Sequence, residues 1–209
     1  MPVSQNWSWL PKTATNSKTG LVTVSVEKSS DDFSPIIALA PPFPLLGDGN
    51  FNIKKFRSLE MNRTFNVAII LLRLGYYAFG IAENGHLVIS KTGSRYVKNR
   101  QRKGGQSATR FQRNRGKWIQ ELFNEVTSVA DARIKSYQKH IDWVIFGGDK
   151  QVITQYRKKL LLPNKLQESS LPWLVPVERP NKVELTRSVK TIWSWRTWQS
   201  PIYPSISMD

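Results

Sequence analysis

The 209-residue chain contains no cysteine. That one absence excludes disulfides, thiolate nucleophiles and cysteine-ligated zinc together. Histidine is almost as scarce: His86 and His140 are the two present, too far apart in sequence to indicate a metal site. We expect no metal site. Acidic residues are also in short supply, Asp+Glu 15 against Lys+Arg 31, which leaves a formal net charge of +16 and a pI of about 10.3. The partner of such a chain is expected to be a polyanion, with nucleic acid ahead of an anionic membrane surface. Long apolar runs are missing as well. The longest, Val67 to Leu72 and Trp143 to Phe146, fall far short of the ~20 residues of a membrane-spanning helix. We therefore expect a soluble monomer with no membrane partner. The N-terminus lacks the apolar core of a secretory signal, so a cytoplasmic location is expected. The acid-free stretch before Glu27 keeps an organelle stroma or matrix as the alternative.

What is present is ample for one packed core: 40% hydrophobic residues, with Trp 8, Phe 9 and Tyr 6. Leu21 to Val26 alternates like a strand, and Ile36 to Ala40 is a second apolar run, stopped by Pro41, Pro42 and Pro44. Asn66 to Leu72, Tyr76 to Glu83 and His86 to Lys91 read as three successive β runs. Asn84-Gly85 between the last two is a strong hairpin signal, because both residues tolerate φ > 0. From Ser107 the apolar residues Phe111, Trp118, Ile119, Leu122, Phe123, Val126, Val129, Ala130 and Ile134 keep helical spacing over about seven turns.

Ile141 to Phe146 reads as a strand ending in Gly147-Gly148-Asp149, and Val152, Ile153, Tyr156, Leu160 and Leu161 then keep helical spacing. The two glycines match no phosphate-binding pattern and read as a packing turn. Leu174 to Val177 offers an edge strand. Asn181 with Glu184 forms a capping box that opens a helix through about Trp193. Trp193, Trp195 and Trp198 interleaved with Arg196 could stack single-stranded bases, although packing is the better reading for them.

The chemistry concentrates in one run, Arg100-Gln101-Arg102-Lys103-Gly104-Gly105-Gln106-Ser107-Ala108-Thr109-Arg110-Phe111-Gln112-Arg113-Asn114-Arg115. Two glycines permit φ > 0 and close approach to a ligand, and they present one neutral amide on a basic stem. Arg110, Arg113, Asn114 and Lys117 crowd the first turns of the following helix. Cations there oppose the macrodipole by about 0.3 to 1 kcal/mol each, a cost that a bound polyanion reverses. The chain shows no Ser/His/Asp set, no paired catalytic carboxylates and no metal cluster. Gln106 cannot take a proton at neutral pH, but it can orient a water while a neighbouring backbone N–H stabilises an oxyanion.

Lys103 to Arg113 resembles the GGQ signature, basic-GGQSxxRFxR, of the middle domain of archaeal and eukaryotic class-I peptide release factors. Three strands before the loop, a long helix after it, and a strand ending in Gly-Gly before another helix follow the order of that domain. Pro41-Pro42-Phe43-Pro44 and Arg179-Pro180 before a Glu-Leu helix are similar to the release-factor-like peptidyl-tRNA hydrolase branch of ribosome rescue and quality control. The resemblance covers about residues 36 to 195. It implies an α/β fold of release-factor GGQ-domain (RNase H-like) architecture, in which packing helices cover a mixed β-sheet and an exposed basic GGQ loop precedes a long helix. Residues 1–35 would then be an N-terminal extension, 36–195 the GGQ domain and 196–209 a C-terminal tail.

The resemblance implies a codon-independent peptidyl-tRNA hydrolase, since these residues leave no space for a codon-reading or GTPase-binding domain. Its partners would be the large ribosomal subunit, rRNA at the peptidyl-transferase centre and the acceptor end of peptidyl-tRNA. Gln106 would place water against the ester, and Gly104 and Gly105 would permit the backbone shape. Arg100, Arg102, Lys103, Arg110, Arg113, Arg115 and Lys117 would hold phosphates, and no metal or organic cofactor is implied. Two alternatives stay open: a nuclease cutting the tRNA acceptor end, and a noncatalytic ribosome- or RNA-binding protein. Gln106 could also carry a methyl group, as similar glutamines in the family do.

Overall fold

In the computed structural model, which describes residues 8–29, 32–46, 53–58, 62–97, 106–137, 139–159 and 168–201, Asn84 and Gly85 have φ of 47° and 82°. Both left-handed residues sit between Glu83 and His86, which pair directly. This is the geometry in which a two-residue turn follows the twist of its strands. The turn joins β4 (Tyr76–Glu83) to β5 (His86–Ser94), and β3 (Asn66–Arg73) pairs antiparallel with β4 on its other side. After α3 (Gln106–Ser136), β6 (Trp143–Gly148) runs parallel to β3. α4 (Lys150–Lys159) and β7 (Ser170–Val175) follow, with β7 parallel to β6. The five strands lie in the order β5-β4-β3-β6-β7, and α5 (Lys182–Trp193) comes next in the chain. The protein thus has the expected mixed α/β fold. No helix among the described residues is long and apolar enough to cross a membrane.

β3 is buried on both faces from Val67 to Leu72, as a central strand covered on two sides must be. One face presents Ala68, Ile70, Leu72, Tyr77, Phe79, Ile81, Val144 and Phe146. These pack with Leu122, Phe123, Val126 and Ala130 of α3 and Val152, Ile153 and Tyr156 of α4. Period-2 alternation puts Gly80 on the opposite face, where a Cβ would lie 2.9 Å from Leu185 of α5. Helices therefore cover both sides of the sheet. Asp149 caps α4 through its side chain to the Val152 N–H at 2.9 Å, and Asn181 caps α5 through the Glu184 N–H at 2.8 Å.

At the end of the sheet where α3 finishes, polar groups fasten the turn into β6. The Tyr137 hydroxyl donates to Glu83 at 2.8 Å, Lys139 Nζ reaches the same carboxylate at 2.7 Å, and Asp142 accepts the Asn66 N–H at 2.8 Å. Lys139 and Tyr137 hold the Glu83 carboxyl below its usual range.

Several strand boundaries differ from the sequence expectation, most clearly three in the five-stranded sheet. β5 runs on to Ser94, β6 spans Trp143–Gly148, and β7 spans Ser170–Val175. The glycines join β6 because they stay in parallel register with Leu71 and Leu72. A Cβ on Gly147 would lie 2.7 Å from Leu71 and 2.8 Å from the Val175 carbonyl oxygen. Gly148, at φ 110°, has the Leu72 carbonyl oxygen where its side chain would begin. The pair therefore closes the strand in tight packing against β3 and β7, where the sequence suggests a turn. Leu160 and Leu161 lie outside the described residues. The edges of the sheet are β5, with Lys91 exposed, and β7, which contains Pro172.

The chain divides into two compact units, Thr64–Ile192 and Met1–Arg63 with Trp193–Asp209. The second of these contains α1 (Lys12–Thr15), α2 (Ile53–Phe56) and a sheet of order β1-β2-β8 formed by β1 (Val22–Ser29), β2 (Asp32–Ala40) and β8 (Arg196–Gln199), all antiparallel. Leu10, Ala14 and Ala38 are buried there with Trp9, Leu21 and Trp198 against them. Its boundaries do not coincide with the divisions at 35/36 and 195/196. β2 crosses the first, and Arg196–Gln199 pairs with Ile37–Ala40 of β2.

Two alanine substitutions separate a required glycine from a free one. Gly148→Ala should lose roughly 2–4 kcal/mol from combined strain and clash. Gly116 in α3 has nothing within 4 Å of its Cβ position, so Gly116→Ala should gain up to about 1 kcal/mol. Urea unfolding midpoints read both.

Candidate functional site

α3 runs well past the core that holds it. Its first fully buried side chain among the described residues is Leu122. The helix between Gln106 and Leu122 is about 24 Å long at 1.5 Å per residue. Arg110, Gln112, Arg113, Asn114, Gly116 and Lys117 are all exposed along it. This arm begins at Gln106, whose backbone is the first of the helix and whose side chain lies outside the described residues. Gly104, Gly105, Arg100, Arg102 and Lys103 lie outside them too, and with them the basic loop.

Helical periodicity places Gln106, Arg110, Arg113 and Lys117, at i, i+4, i+7 and i+11, on one stripe. Leu122 and Val126 lie on the opposite side of the helix. Arg115 falls on that side too: it is only half-exposed, and its Nε is shielded from solvent without a hydrogen-bond partner. The predicted cations on α3 are therefore split, three on the stripe with Gln106 and one on the core-facing side. The first turn contains no acidic residue. Nothing within the helix offsets the positive end of the macrodipole.

Where the arm meets the body, a polar cluster fixes it. Arg95, just past β5, donates from Nη1 to Glu121 at 2.8 Å and from Nε to Glu125 at 3.0 Å. The Tyr77 hydroxyl donates to the other Glu125 oxygen at 2.9 Å. Tyr77 passes over Gly93, where a Cβ would collide with the phenol ring. Tyr96 meets Trp118 edge-on, with ring centroids 5.9 Å apart. Val97 and Ile119 pack against the core. Arg95 holds the Glu125 carboxyl below its usual range. Burial, followed by the Glu125 carboxylate, pushes the Tyr77 phenol up to about 12, so it stays a donor at any working pH.

None of Arg95, Tyr77 and Gly93 was legible as functional. Their one signal is the Glu121 and Glu125 pair, i and i+4 in an otherwise basic half-helix. The tryptophans in question pack: Trp193 is edge-on to Phe43 at 5.4 Å, Trp195 edge-on to Phe56 at 5.9 Å, and Trp198 lies against the Leu10, Ala14 and Ala38 cluster.

The charge excess also has a structural form. In the Thr64–Ile192 unit, Glu83, Glu121, Glu125, Asp131, Asp142, Asp149 and Glu184 are each engaged within the fold. Arg110, Arg113 and Lys117 make no ion pair among the described residues.

A family model described as Actinobacteria/chloroflexi VLRF1 release factor matches residues 66–197. No curated protein matches the chain. Among solved structures, the chain is similar to a structure described as an archaeal protein, at 18% identity and TM-score 0.44, over 81% of this chain and 47% of that one. The archaeal translation termination factor aRF1 matches at 18% identity and TM-score 0.47, over 84% and 50%. The Vms1 mitochondrial localization core matches at 15% identity and TM-score 0.45, over 78% and 73%. The chain spans about half the length of the first two.

A carboxyl held below its usual range in the fold stabilises above its unfolded pKa and stops doing so as pH falls through the folded one. Glu125 and Glu83 are both of this kind. Stability should therefore drop on acidification below the ordinary carboxylate range. Glu125→Gln should be less stable than wild type near neutrality and converge with it in acid. Urea midpoints measured from about pH 3 to pH 7 check this.

Proposed function

Since the chain belongs to the Actinobacteria/Chloroflexi VLRF1 release-factor family, we propose that it is a codon-independent peptidyl-tRNA hydrolase that releases nascent chains from stalled or split ribosomes. Its partners in this reading are the large ribosomal subunit, rRNA at the peptidyl-transferase centre and the acceptor end of peptidyl-tRNA. The observation that carries it is the placement of Gln106. This residue opens a long helix about 24 Å beyond Leu122, the first fully buried of its described side chains, in line with three exposed cations.

The chemistry follows from what these residues can do. Water adds its oxygen to the acyl carbon of the ester joining peptide to the terminal adenosine, the acyl–oxygen bond breaks and the proton ends on the departing 3′ oxygen, while Gln106 orients that water without taking its proton. A backbone N–H beside it hydrogen-bonds the developing oxyanion. Gly104 and Gly105 allow the chain to come close to the ester. Arg110, Arg113 and Lys117, with Arg100, Arg102 and Lys103 ahead of them, hold phosphates and register the acceptor end on Gln106. Arg115 contributes from the other side of the helix. Catalysis is positional and electrostatic, as a site without a general base requires.

The deciding experiment incubates the protein with large subunits that carry labelled peptidyl-tRNA and maps the tRNA 3′ end afterwards. Wild type should release peptide and leave the terminal adenosine intact, and Gln106→Ala should slow release by about 100-fold or more. A shortened tRNA would replace hydrolysis with acceptor-end nuclease cleavage. Absence of release with binding retained would leave a noncatalytic ribosome-binding protein.

Salt dependence tests the stripe separately. Arg110→Gln, Arg113→Gln and Lys117→Gln should each reduce the slope of log affinity against log salt by about one on large subunits. Arg115→Gln should change it less.

A further inference from the structure

The arm is a lever, and its base lies where Arg95 meets α3. A 5° swing about Leu122 displaces a point about 24 Å away by about 2 Å. Misplacement by 1 Å can cost a positional catalyst about 100-fold. An enzyme that works by placing Gln106 therefore needs the angle of α3 fixed at its base, and the packing of Leu122 and Phe123 lies wholly on one side of that helix.

A polar bridge fixes the other direction. Arg95 joins two carboxylates one helical turn apart, Glu121 at 2.8 Å and Glu125 at 3.0 Å, while Tyr77 holds the second oxygen of Glu125 at 2.9 Å. Tyr77 is 1% exposed and part of the core, so Glu125 is tied to the sheet as well as to Arg95. The arrangement needs Gly93, since any side chain there would collide with the Tyr77 ring. Arg95 itself is 42% exposed, and single ion pairs this open add little stability. A planar guanidinium bridging two turns constrains direction far more than it adds stability. Gly116, with open space around it, lies immediately above the bridge and gives α3 little stiffness of its own there.

We propose that Arg95 is a positioning residue, which with Glu121, Glu125 and Tyr77 sets the direction of the arm and so the place of Gln106. The functional half of this proposal rests on the hydrolase reading; the mechanical half does not.

The absence of native cysteine allows a direct test, with a pair of spin labels at Gln112→Cys and Gln155→Cys, both exposed and in the same compact unit. The distance distribution should be narrow in the otherwise wild-type chain. It should broaden with Arg95→Ala and Glu125→Gln, and stay unchanged with Lys135→Ala, which breaks a pair lower on α3. In the release assay, Arg95→Ala should lower the maximal rate about 10- to 100-fold while the half-saturating concentration moves little, and Arg95→Lys should recover part of the rate. Should Arg95→Ala fail to fold, Glu121→Gln removes half of the bridge and is measured the same way. A distribution in Arg95→Ala identical to wild type overturns the proposal. A broadened one in a protein whose wild type releases nothing upholds the latch and overturns the hydrolase reading instead.

Discussion

Leu122, Phe123, Val126 and Ala130 bury one face of α3 against Ala68, Ile70, Leu72 and their neighbours on the central sheet. Fully buried side chains of the larger kinds contribute about 1.5 to 3 kcal/mol apiece. The helix is thus anchored by its lower half, from Leu122 on, while Arg110, Arg113 and Lys117 above it stay exposed. This is what lets the arm carry Arg110, Arg113, Lys117 and Gly116, none of which favours a helix start on its own. An isolated helix of that composition would fray. Extended from an anchored rod, it holds.

Local signals in the sequence proved reliable where the physics is local. Asn84-Gly85 defines its hairpin because two consecutive residues with φ > 0 leave few alternatives, and Asn181 and Asp149 cap the helices they precede for an equally short-range reason. The long helix was legible from its apolar spacing, and the basic run with Gly104, Gly105 and Gln106 from composition alone. What escaped was everything that depends on distant partners. Arg196–Gln199 is four residues long and becomes a strand because β2, far earlier in the chain, offers it an edge. Arg95, Tyr77 and Gly93 gain their meaning from Glu121 and Glu125 on another element. No window around any of them contains the other half of the interaction.

The balance of charge has a similar logic. With 15 acidic residues against 31 basic ones, the fold could have scattered its carboxylates over the surface to damp the excess. Instead most of those in the larger unit cap helices, join connections or hold Arg95. Arg110, Arg113 and Lys117 are left without acidic partners among the described residues. Repulsion between them costs stability, which the buried core offsets, and it leaves a surface whose attraction for a polyanion is undiminished by internal neutralisation.

The two rims of the five-stranded sheet carry another consequence. A row of open N–H and C=O groups invites strand addition by a second copy, a hazard that rises with concentration. β7 contains Pro172, which has no N–H to offer, and β5 presents Lys91 and a register shift near the start of its pairing. Both features disfavour orderly cross-β stacking of one molecule on the next.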